Sequence, residues 1–244
     1  MRLLQLNAWT IRLPTRIEDM VAKEAPDIIA LQEVFESDAD LGFFPTLTEL
    51  ANNLRMPHLY HSSVYGLRLM ELNPEFGNAI MSNIPLSDEK TVFTNLEYKA
   101  NRSLQGDDYN ARNFQHVTVN DRGGNRVHII NHHGYHVPSH KNGNDITMKA
   151  CQQIADYAKQ LEGAVIITGD FNLLPDSESI EIINKDFRNL TKEYGLQTTR
   201  TDLTRKVEPC DFIFVNDNIE VNDFYASEVV ASDHQGLVLD FKVK

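Results

Sequence analysis

The sequence has few cysteines and no long apolar run. Its two cysteines, Cys151 and Cys210, lie far apart and form no CxxC or CxH spacing. This spacing argues against a disulfide-stabilised scaffold or a thiolate metal site, and it fits a reducing compartment. The uninterrupted apolar runs are short, for example Ile28 to Leu31. No membrane span is therefore expected, because one needs about eighteen or more consecutive apolar residues.

Positive charge is also scarce, with 23 Lys plus Arg against 35 Asp plus Glu and a net charge of −12. This balance disfavours a tight, sequence-blind nucleic-acid binder, although a bound cation could invert the local field. With 12 Gly, 9 Pro and 41% hydrophobic residues among 244, the chain is neither collagen-like nor disordered. The apolar stretch within Met1 to Asn7 is too short for a signal peptide, because polar residues interrupt it early. A cytoplasmic location is therefore expected.

Strands and helices alternate along the chain and predict an α+β fold in one domain, residues 1–244. Apolar residues at helical spacing predict helices over residues 15–25, 45–54, 145–161 and 177–184. Apolar or alternating runs predict strands over 2–9, 27–34, 58–65, 78–82, 91–98, 164–169, 212–215, 222–229 and 237–243, with a hairpin of 113–120 and 125–131. The irregular stretch 186–209 is expected to be a surface loop.

Polar residues stand where these strands end, which is a usual position for site residues on a rigid scaffold. Each also has a structural explanation, since Asn and Asp commonly cap helices and form turns. Glu33 is harder to explain in this way, because an acid beside Leu31, Val34 and Phe35 needs a partner when buried. The full set is Asn7, Glu33, His132, His133, Asp170, Asn172, Asp211 and the tetrad Ser232-Asp233-His234-Gln235.

Seven short segments carry these residues between positions 6 and 234. They are Leu6-Asn7-Ala8-Trp9, Leu31-Gln32-Glu33-Val34, Gly77-Asn78-Ala79-Ile80, Asn131-His132-His133, Gly169-Asp170-Phe171-Asn172, Asp211-Phe212-Ile213-Phe214-Val215 and Ser232-Asp233-His234. Their types and order resemble the endonuclease/exonuclease/phosphatase (EEP) superfamily of metal-dependent phosphohydrolases. The resemblance implies a four-layer αββα sandwich, with two mixed sheets face to face, helices outside and the site at one end.

The resemblance also implies Mg²⁺ or Mn²⁺ as cofactor, and the residue types agree. Carboxylate and amide oxygens suit a hard divalent cation, and such a cation neutralises charge on a phosphoryl group. By motif position, Glu33 is the principal metal ligand with Asn7 beside it. Asp233 matches a position that reaches the metal in some members.

The same correspondence assigns catalytic roles. Asp170 orients or deprotonates the attacking water, and Asn172 donates a hydrogen bond to the phosphoryl group. His234 donates a hydrogen bond or proton to a non-bridging oxygen. Asp211 pairs with His234, and such a pairing raises the imidazole pKa and fixes its tautomer.

Three further positions are less tightly matched. His133 takes the place of a histidine of the phosphatase and phosphodiesterase branches, but His132 stands where threonine is usual, so the register could shift by one. Alternatively, Tyr135 could match a tyrosine of the nuclease branch. Arg112 either binds a substrate phosphate bidentately or is a solvated hairpin residue, and Asn78 is assigned to substrate binding or support of the site.

Two other kinds of function compete with this assignment. Six histidines between positions 116 and 140 suggest a zinc hydrolase, although there is no HExxH motif. A non-catalytic binding module is the other alternative, but it would be expected to have lost some of the site residues.

Within the enzyme class, we expect a phosphodiesterase or phosphatase of unassigned substrate, with a nuclease as the alternative. The partner is a phosphoester, whether small molecule, lipid head group or nucleic acid, and no obligate protein partner is implied. Basic residues at Arg102, Arg112, Arg122 and Arg126 could form a patch for nucleic acid. Phe43-Phe44-Pro45 is the only candidate for a lipid-facing apolar hairpin, and it equally suits a helix start.

Overall fold

The computed structural model describes residues 1–37, 42, 45–68, 72–103 and 109–244. Phe43 and Phe44 therefore lie outside the described residues. The helices are α1 (Pro14–Glu24), α2 (Leu47–Leu54), α3 (Asp145–Lys159), α4 (Glu178–Asn184) and α5 (Leu190–Glu193), and a 3₁₀ turn spans Trp9–Ile11. Within the described parts of the chain, none of the helices has the length and apolar character needed to cross a bilayer.

Twelve strands are described, and they form two six-stranded sheets. The first sheet has the order β11-β12-β1-β2-β4-β3, and the second has the order β5-β6-β7-β8-β10-β9. Each contains one parallel pair, β1 with β2 and β7 with β8, among antiparallel neighbours. The strands are β1 (Arg2–Asn7), β2 (Ile28–Glu36), β3 (His58–Gly66), β4 (Glu75–Ser82), β5 (Ser87–Asn95), β6 (Arg112–Asn120), β7 (Arg126–His133), β8 (Ala164–Asp170), β9 (Arg188–Asn189), β10 (Asp211–Val215), β11 (Ile219–Ala226) and β12 (Leu237–Val243).

The first sheet has a buried core on both faces, because neighbouring side chains of a strand point to opposite sides. Leu3 of β1 packs with Ile129 and Ile166 of the second sheet, so this cluster lies between the sheets. The next residue, Leu4, packs instead with Ile17 and Met20 of α1. Helices α1 and α2 therefore cover the outer face of this sheet.

The second sheet is covered in the same way by α3 and α4. Ile166 points between the sheets, while Ile167 packs with Ile154 of α3 and Ile180 of α4. The layers run helix, sheet, sheet, helix. This confirms the predicted α+β fold, a four-layer αββα sandwich.

The prediction of a surface loop over residues 186–209 is wrong. The stretch 186–209 contains β9 and α5, and Leu190, Thr199 and Arg200 within it are buried. Periodicity did not reveal this burial, because the segment is held by contacts with distant parts of the chain. Strand β2 also runs two residues past the predicted end at Val34.

The parallel pairs bring the site residues to one edge of the sandwich. Strand β1 ends at Asn7 beside the β2 segment that leads to Glu33, and His133 at the end of β7 is in register with Asp170 of β8. Asp211 begins β10 and is the antiparallel partner of Asp170. Three adjacent strands of the second sheet thus present His133, Asp170 and Asp211 at the same edge.

Candidate active site

Glu33 reaches this edge because the backbone of β2 is irregular there. The pairing of β2 with β4 shifts register between Leu31 and Val34, and Glu33 adopts a φ of 54°. A bulge with a left-handed residue breaks the alternation of the strand and re-aims a side chain. Glu33 therefore lines the cavity, although its neighbours Leu31 and Val34 are fully buried in the core.

Asp170 and Asn172 are positioned by a second irregular turn. Gly169 has a φ of 140°, and a Cβ at this position would lie 1.8 Å from the carbonyl oxygen of His132. The close approach of β7 and β8 therefore requires glycine before Asp170. Asn172 has a φ of 56°, and its N–H donates to Asp170 Oδ1 at 2.9 Å.

Asn7 links the two acids of this edge. Its Nδ2 donates to Glu33 Oε1 at 3.1 Å and to Asp170 Oδ2 at 3.0 Å. Its Oδ1 accepts from the N–H of Trp9 at 3.1 Å. In this arrangement the amide nitrogen faces the carboxylates, so metal ligation by Asn7 Oδ1 needs a rotation of the amide away from Trp9.

The surroundings of Glu33 fit a bound cation. The carboxylate has no Lys or Arg contact among the described residues, and the nearest basic atom is His133 Nε2 at 3.7 Å. Burial raises the pKa of Glu33, and burial followed by the charge of Arg112 lowers the pKa of His133 well below its ordinary value. His133 is therefore a neutral neighbour, and a divalent cation would supply the missing counter-charge.

Asp233 lines the cavity from the loop before β12. Its side chain is 16% exposed, and its Oδ2 is 3.5 Å from Arg200 Nη1. The preceding residue, Ser232, donates from Oγ to the carbonyl oxygen of Asn7 at 2.6 Å. This bond ties the Asp233 loop to the end of β1, so the three predicted metal ligands lie on connected segments.

His234 is paired with Asp211 as the resemblance implies. Its Nδ1 lies 2.8 Å from Asp211 Oδ2, which also accepts from Thr199 Oγ1 at 2.5 Å. Gln5 Nε2 donates to the other oxygen, Asp211 Oδ1, at 3.1 Å. Since Nδ1 is engaged, Nε2 is the atom that faces the cavity, 3.6 Å from Asp170 Oδ2.

The charges around this pair favour the protonated imidazole and the ionised acid. Burial lowers the pKa of His234, but Asp211 and Asp170 outweigh it, so the net shift is upward. Burial would raise the pKa of Asp170, but His234 and Arg200 hold it below its ordinary value. Asp170 is thus an ionised acceptor beside a histidine that is poised to donate.

Asn172 is held by groups outside its own loop. Lys141 Nζ donates to Asn172 Oδ1 at 2.6 Å, and Asn172 Nδ2 donates to the carbonyl oxygen of Gly134 at 3.3 Å. This leaves one amide hydrogen of Asn172 for a ligand. Lys141 is itself buried, with a pKa lowered by burial.

Arg112 is buried, so the alternative of a solvated hairpin residue is wrong. Its Nε donates to Gly134 O at 2.7 Å, and its Nη1 donates to Tyr109 O at 2.9 Å and to Ala111 O at 2.8 Å. These bonds occupy the fork that bidentate phosphate binding would use. Arg112 lines the cavity but has only Nη2 left for a ligand.

Asn78 lies away from the cavity. It is buried in β4, a strand inside the first sheet, and its Nδ2 donates to Asn113 Oδ1 at 2.9 Å. This position supports the structure behind the site and does not suit the predicted contact with substrate.

The two histidines at the end of β7 point to opposite sides. His133 lines the cavity, whereas His132 packs on Phe171 and its Nδ1 donates to the carbonyl oxygen of Asn113 at 2.9 Å. Tyr135 is buried and does not line the cavity. Of the three alternatives, His133 is the one whose position matches a role in the site.

The histidines do not converge on a zinc site. Among the described residues, the one group of three metal-ligating side chains is Asp170, Asp211 and His234, with ligand atoms within 4.8 Å of one another. It holds a single histidine, and His234 and Asp211 already bond to each other. His116 and His128 instead form a pair elsewhere in the second sheet.

The predicted basic patch does not form. Arg102 and Arg112 are buried and donate to backbone carbonyls. Arg126 pairs with Asp88, and Arg122 lies in the β6–β7 turn, at the end of the sandwich opposite the site. The four arginines therefore give no continuous cationic surface.

A cavity of about 420 Å³ opens over these residues. One wall is polar and contains Glu33, His133, Asp170, Asn172, Asp233 and His234. An aromatic cluster also lines the cavity, in which Phe76 stacks on Tyr65 at 5.0 Å and meets the edge of Phe35 at 5.2 Å. The cavity can thus hold both a charged group and an organic group.

Sequence reasoning missed Arg200, Thr199 and Lys141. Arg200 lines the cavity beside His234, Thr199 holds Asp211, and Lys141 holds Asn172. All three lie in irregular segments, where no periodic pattern marks a buried residue. A single cue was available, since Arg200 and Thr199 precede the Asp211 motif closely in sequence.

Comparison with known proteins agrees with this architecture. The family model described as the endonuclease/exonuclease/phosphatase family matches residues 4–234, and no curated protein matches the sequence. An endonuclease/exonuclease/phosphatase from Beutenbergia cavernae DSM 12333 has a TM-score of 0.78 at 20% identity, over 100% of this chain and 71% of that chain.

Two further solved structures cover nearly the whole of both chains. The mannosyl-6-phosphatase Bt3783 of Bacteroides thetaiotaomicron has a TM-score of 0.68 at 16% identity, over 99% of each chain. The human Nocturnin catalytic domain with bound sulfate has a TM-score of 0.69 at 15% identity, over 100% of this chain and 94% of that chain. At such identities the structural likeness establishes the fold.

Proposed function

We propose that this chain, which belongs to the endonuclease/exonuclease/phosphatase family, hydrolyses a phosphoester by attack of water assisted by a divalent cation, Mg²⁺ or Mn²⁺. The observation that carries the proposal is the run of contacts from Glu33 through Asn7 and Asp170 to His234 along one wall of the cavity. It places acidic oxygens and a potential hydrogen-bond donor around one space.

Glu33 and Asp233 would hold the cation, with Asn7 joining them after rotation of its amide. A divalent cation in this position neutralises charge on the phosphoryl oxygens. The donor set supports a hard cation, because Glu33 and Asp233 both offer carboxylate oxygen.

Asp170 would orient the attacking water and accept its proton. Its carboxylate is ionised and faces the cavity, and the bonds from Asn7 and from the Asn172 N–H fix its position. The free amide hydrogen of Asn172 would bind the phosphoryl group, and His133 would line the substrate space as a neutral side chain.

His234 would donate from Nε2 to a non-bridging oxygen of the phosphoryl group. Asp211 and Thr199 hold the imidazole so that Nε2 faces the cavity. Donors fixed in advance at the point where charge develops stabilise a transition state without reorganisation.

A small phosphodiester or phosphomonoester suits the site better than duplex nucleic acid. The cavity is small and is lined in part by the aromatic cluster, and the four arginines that could have formed a nucleic-acid surface are dispersed. The mannosyl-6-phosphatase Bt3783, which has a similar fold, also supports a phosphatase activity. Both cysteines are free and buried, which supports assignment of the activity to the cytoplasm.

A substrate screen tests the proposal. Purified protein would be incubated with Mg²⁺ or Mn²⁺ and with simple phosphodiesters, phosphomonoesters, inositol phosphates, sphingomyelin, RNA and abasic DNA. We expect turnover of at least one small phosphoester, lost on chelation and lost in both Asp170→Asn and His234→Ala. Turnover at the wild-type rate in either variant would refute the mechanism, and preferential cleavage of DNA or RNA would support the nuclease alternative.

A further inference from the structure

Arg200 is held firmly at the wall of the cavity by bonds on both sides. Its backbone forms an antiparallel bridge with His234, and the N–H of Gln235 donates to Thr199 O at 2.8 Å. On the other side, the N–H of Thr201 donates to Asp233 O at 3.1 Å. The segment around Arg200 is therefore built against the loop that carries Asp233 and His234.

The guanidinium of Arg200 is buried but has few partners. Its side chain is 3% exposed, and its contacts with described residues all use Nη1, which faces His234 Nε2 and lies 3.5 Å from Asp233 Oδ2. Nε is buried and has no hydrogen-bond partner within the described parts of the chain. A buried cation with unpaired N–H groups is costly unless a ligand completes its bonds.

Arg112 and Arg200 differ in this respect. Both line the cavity, but Nε and Nη1 of Arg112 already donate hydrogen bonds to three backbone carbonyl oxygens. Within the described residues, no carbonyl oxygen accepts from the Arg200 side chain, and its planar guanidinium suits phosphoryl oxygens. Of these two cavity arginines, Arg200 is therefore the one whose side-chain N–H groups are more available to a ligand.

The position of Arg200 also bears on His234. Because His234 Nδ1 donates to Asp211, Nε2 is the nitrogen that would reach substrate, and in this structure Nε2 accepts from Arg200 Nη1. Nε2 can therefore donate to substrate only after Arg200 has left it and the imidazole has taken up a proton. A phosphoryl group in the cavity would offer oxygens to both side chains, so Arg200 would leave Nε2 and share the phosphoryl oxygens with His234.

We propose that Arg200 forms a phosphate-binding site that holds the non-bridging oxygens of the substrate, and that its guanidinium moves there from His234 Nε2. This inference rests on the proposed function for the identity of the ligand. It adds a cation on the His234 side of the phosphoryl group, where the sequence resemblance assigned none.

Calorimetric titration with inorganic phosphate in the presence of Mg²⁺ tests the site without turnover. We expect Arg200→Gln to weaken phosphate binding by roughly tenfold to a hundredfold, since charge-assisted hydrogen bonds are lost. Arg200→Lys, which keeps the charge but not the fork, should lose a part of that affinity. Arg205→Gln is the matched control, because Arg205 is exposed on the same loop and does not line the cavity.

Steady-state kinetics on a small phosphoester supply a second measurement, in which KM should rise in parallel with the phosphate Kd. An unchanged phosphate affinity in Arg200→Gln, or in Arg200→Lys if the Gln variant does not fold, overturns the inference. Phosphate binding that depends on Arg200 without any turnover would refute the proposed function and leave this site standing. Turnover together with a phosphate affinity that does not change in the Arg200 variants would overturn this inference and leave the proposed function standing.

Discussion

At the scale of single residues, the pairing of Asp211 with His234 determines which nitrogen faces the cavity. Asp211 is fully buried, and Thr199, Gln5 and His234 complete its bonds. The acid is thus fixed before substrate arrives. In the proposed mechanism it would act on the reaction through the orientation and the pKa of His234.

We therefore expect Asp211→Asn to lower kcat by roughly a hundredfold or more, in the range typical of lost general acid–base assistance. Asp211 raises the pKa of His234, so its removal should move the alkaline limb of the pH–rate profile to lower pH. The measurement is kcat against pH. Asp88→Asn, which removes an exposed acid paired with Arg126, is the control, and an unmoved alkaline limb in Asp211→Asn contradicts this role.

Single residues also show what the sequence could predict about the site. Glu33, Asp170 and His234 were predicted because they lie beside the ends of predicted strands and in segments that resemble the motifs of the family, and all three line the cavity. Arg200 was missed because its burial depends on pairing with His234, a contact between residues distant in sequence. For Asn78 the choice between substrate binding and support of the site stayed open, because a strand position alone does not say which way an amide points; its bond to Asn113 fits support.

At the scale of elements, the site depends on the close approach of β7 and β8. The predicted bounds of these strands were nearly correct, since apolar runs mark buried strands. The bulge in β2 and the turn at Gly169 were not predicted, because a left-handed residue leaves no periodic signal. These two irregularities bring Glu33 and Asp170 to the cavity.

The variant Gly169→Ala tests this approach, because the new Cβ would overlap the His132 carbonyl in addition to straining the backbone. We expect the free energy of unfolding to fall by well above the roughly 1–2 kcal/mol that left-handed strain alone costs, and we expect activity to be lost. Urea denaturation measures the loss. Gly195→Ala is the matched control, since Gly195 has a φ of 67° and nothing within 4 Å of an added Cβ; equal losses in the two variants would show that β7 and β8 can separate without cost.

At the scale of the whole molecule, buried neutral histidines link stability to pH. Burial lowers the pKa of His61, His116, His132 and His136 from 6.5 to about 4. His116 is also locked by its bonds: His128 Nε2 donates to Glu162 O at 3.1 Å, so His128 Nδ1 accepts from His116 Nε2 at 3.0 Å. The remaining nitrogen, His116 Nδ1, accepts from Tyr157 Oη at 3.0 Å.

The unfolded chain takes up protons on these rings below about pH 6.5, while the folded chain does not until about pH 4. The free energy of unfolding should therefore fall as pH drops from 6.5 to 4, by about 2–4 kcal/mol in total, less than the summed shifts because solvent screens the partly exposed rings. Urea denaturation across this range measures it. His116→Gln should reduce the dependence, and an equal slope in that variant would contradict the assignment.

The distribution of the acidic residues over the whole molecule is compatible with an anionic substrate. The four acids Glu33, Asp170, Asp211 and Asp233 converge at one edge of the sandwich, where they are balanced by Arg200, His234 and the proposed cation. Some of the acids elsewhere, such as Asp240 and Glu228, form exposed or half-exposed ion pairs. Net charge therefore bears on the approach of a polyanion and says little about the reaction.

Dependence of turnover on a divalent cation bound by Glu33 is the most direct test of the central claim. The measurement is hydrolysis of a small phosphoester by chelated protein as Mg²⁺ is added back, for the wild type, Glu33→Gln and the control Glu228→Gln. We expect no turnover without cation, full recovery in the wild type and the control, and at least roughly a hundredfold lower turnover in Glu33→Gln at the same Mg²⁺. Undiminished turnover after thorough chelation, or a Glu33→Gln variant with the wild-type response to Mg²⁺, would contradict it.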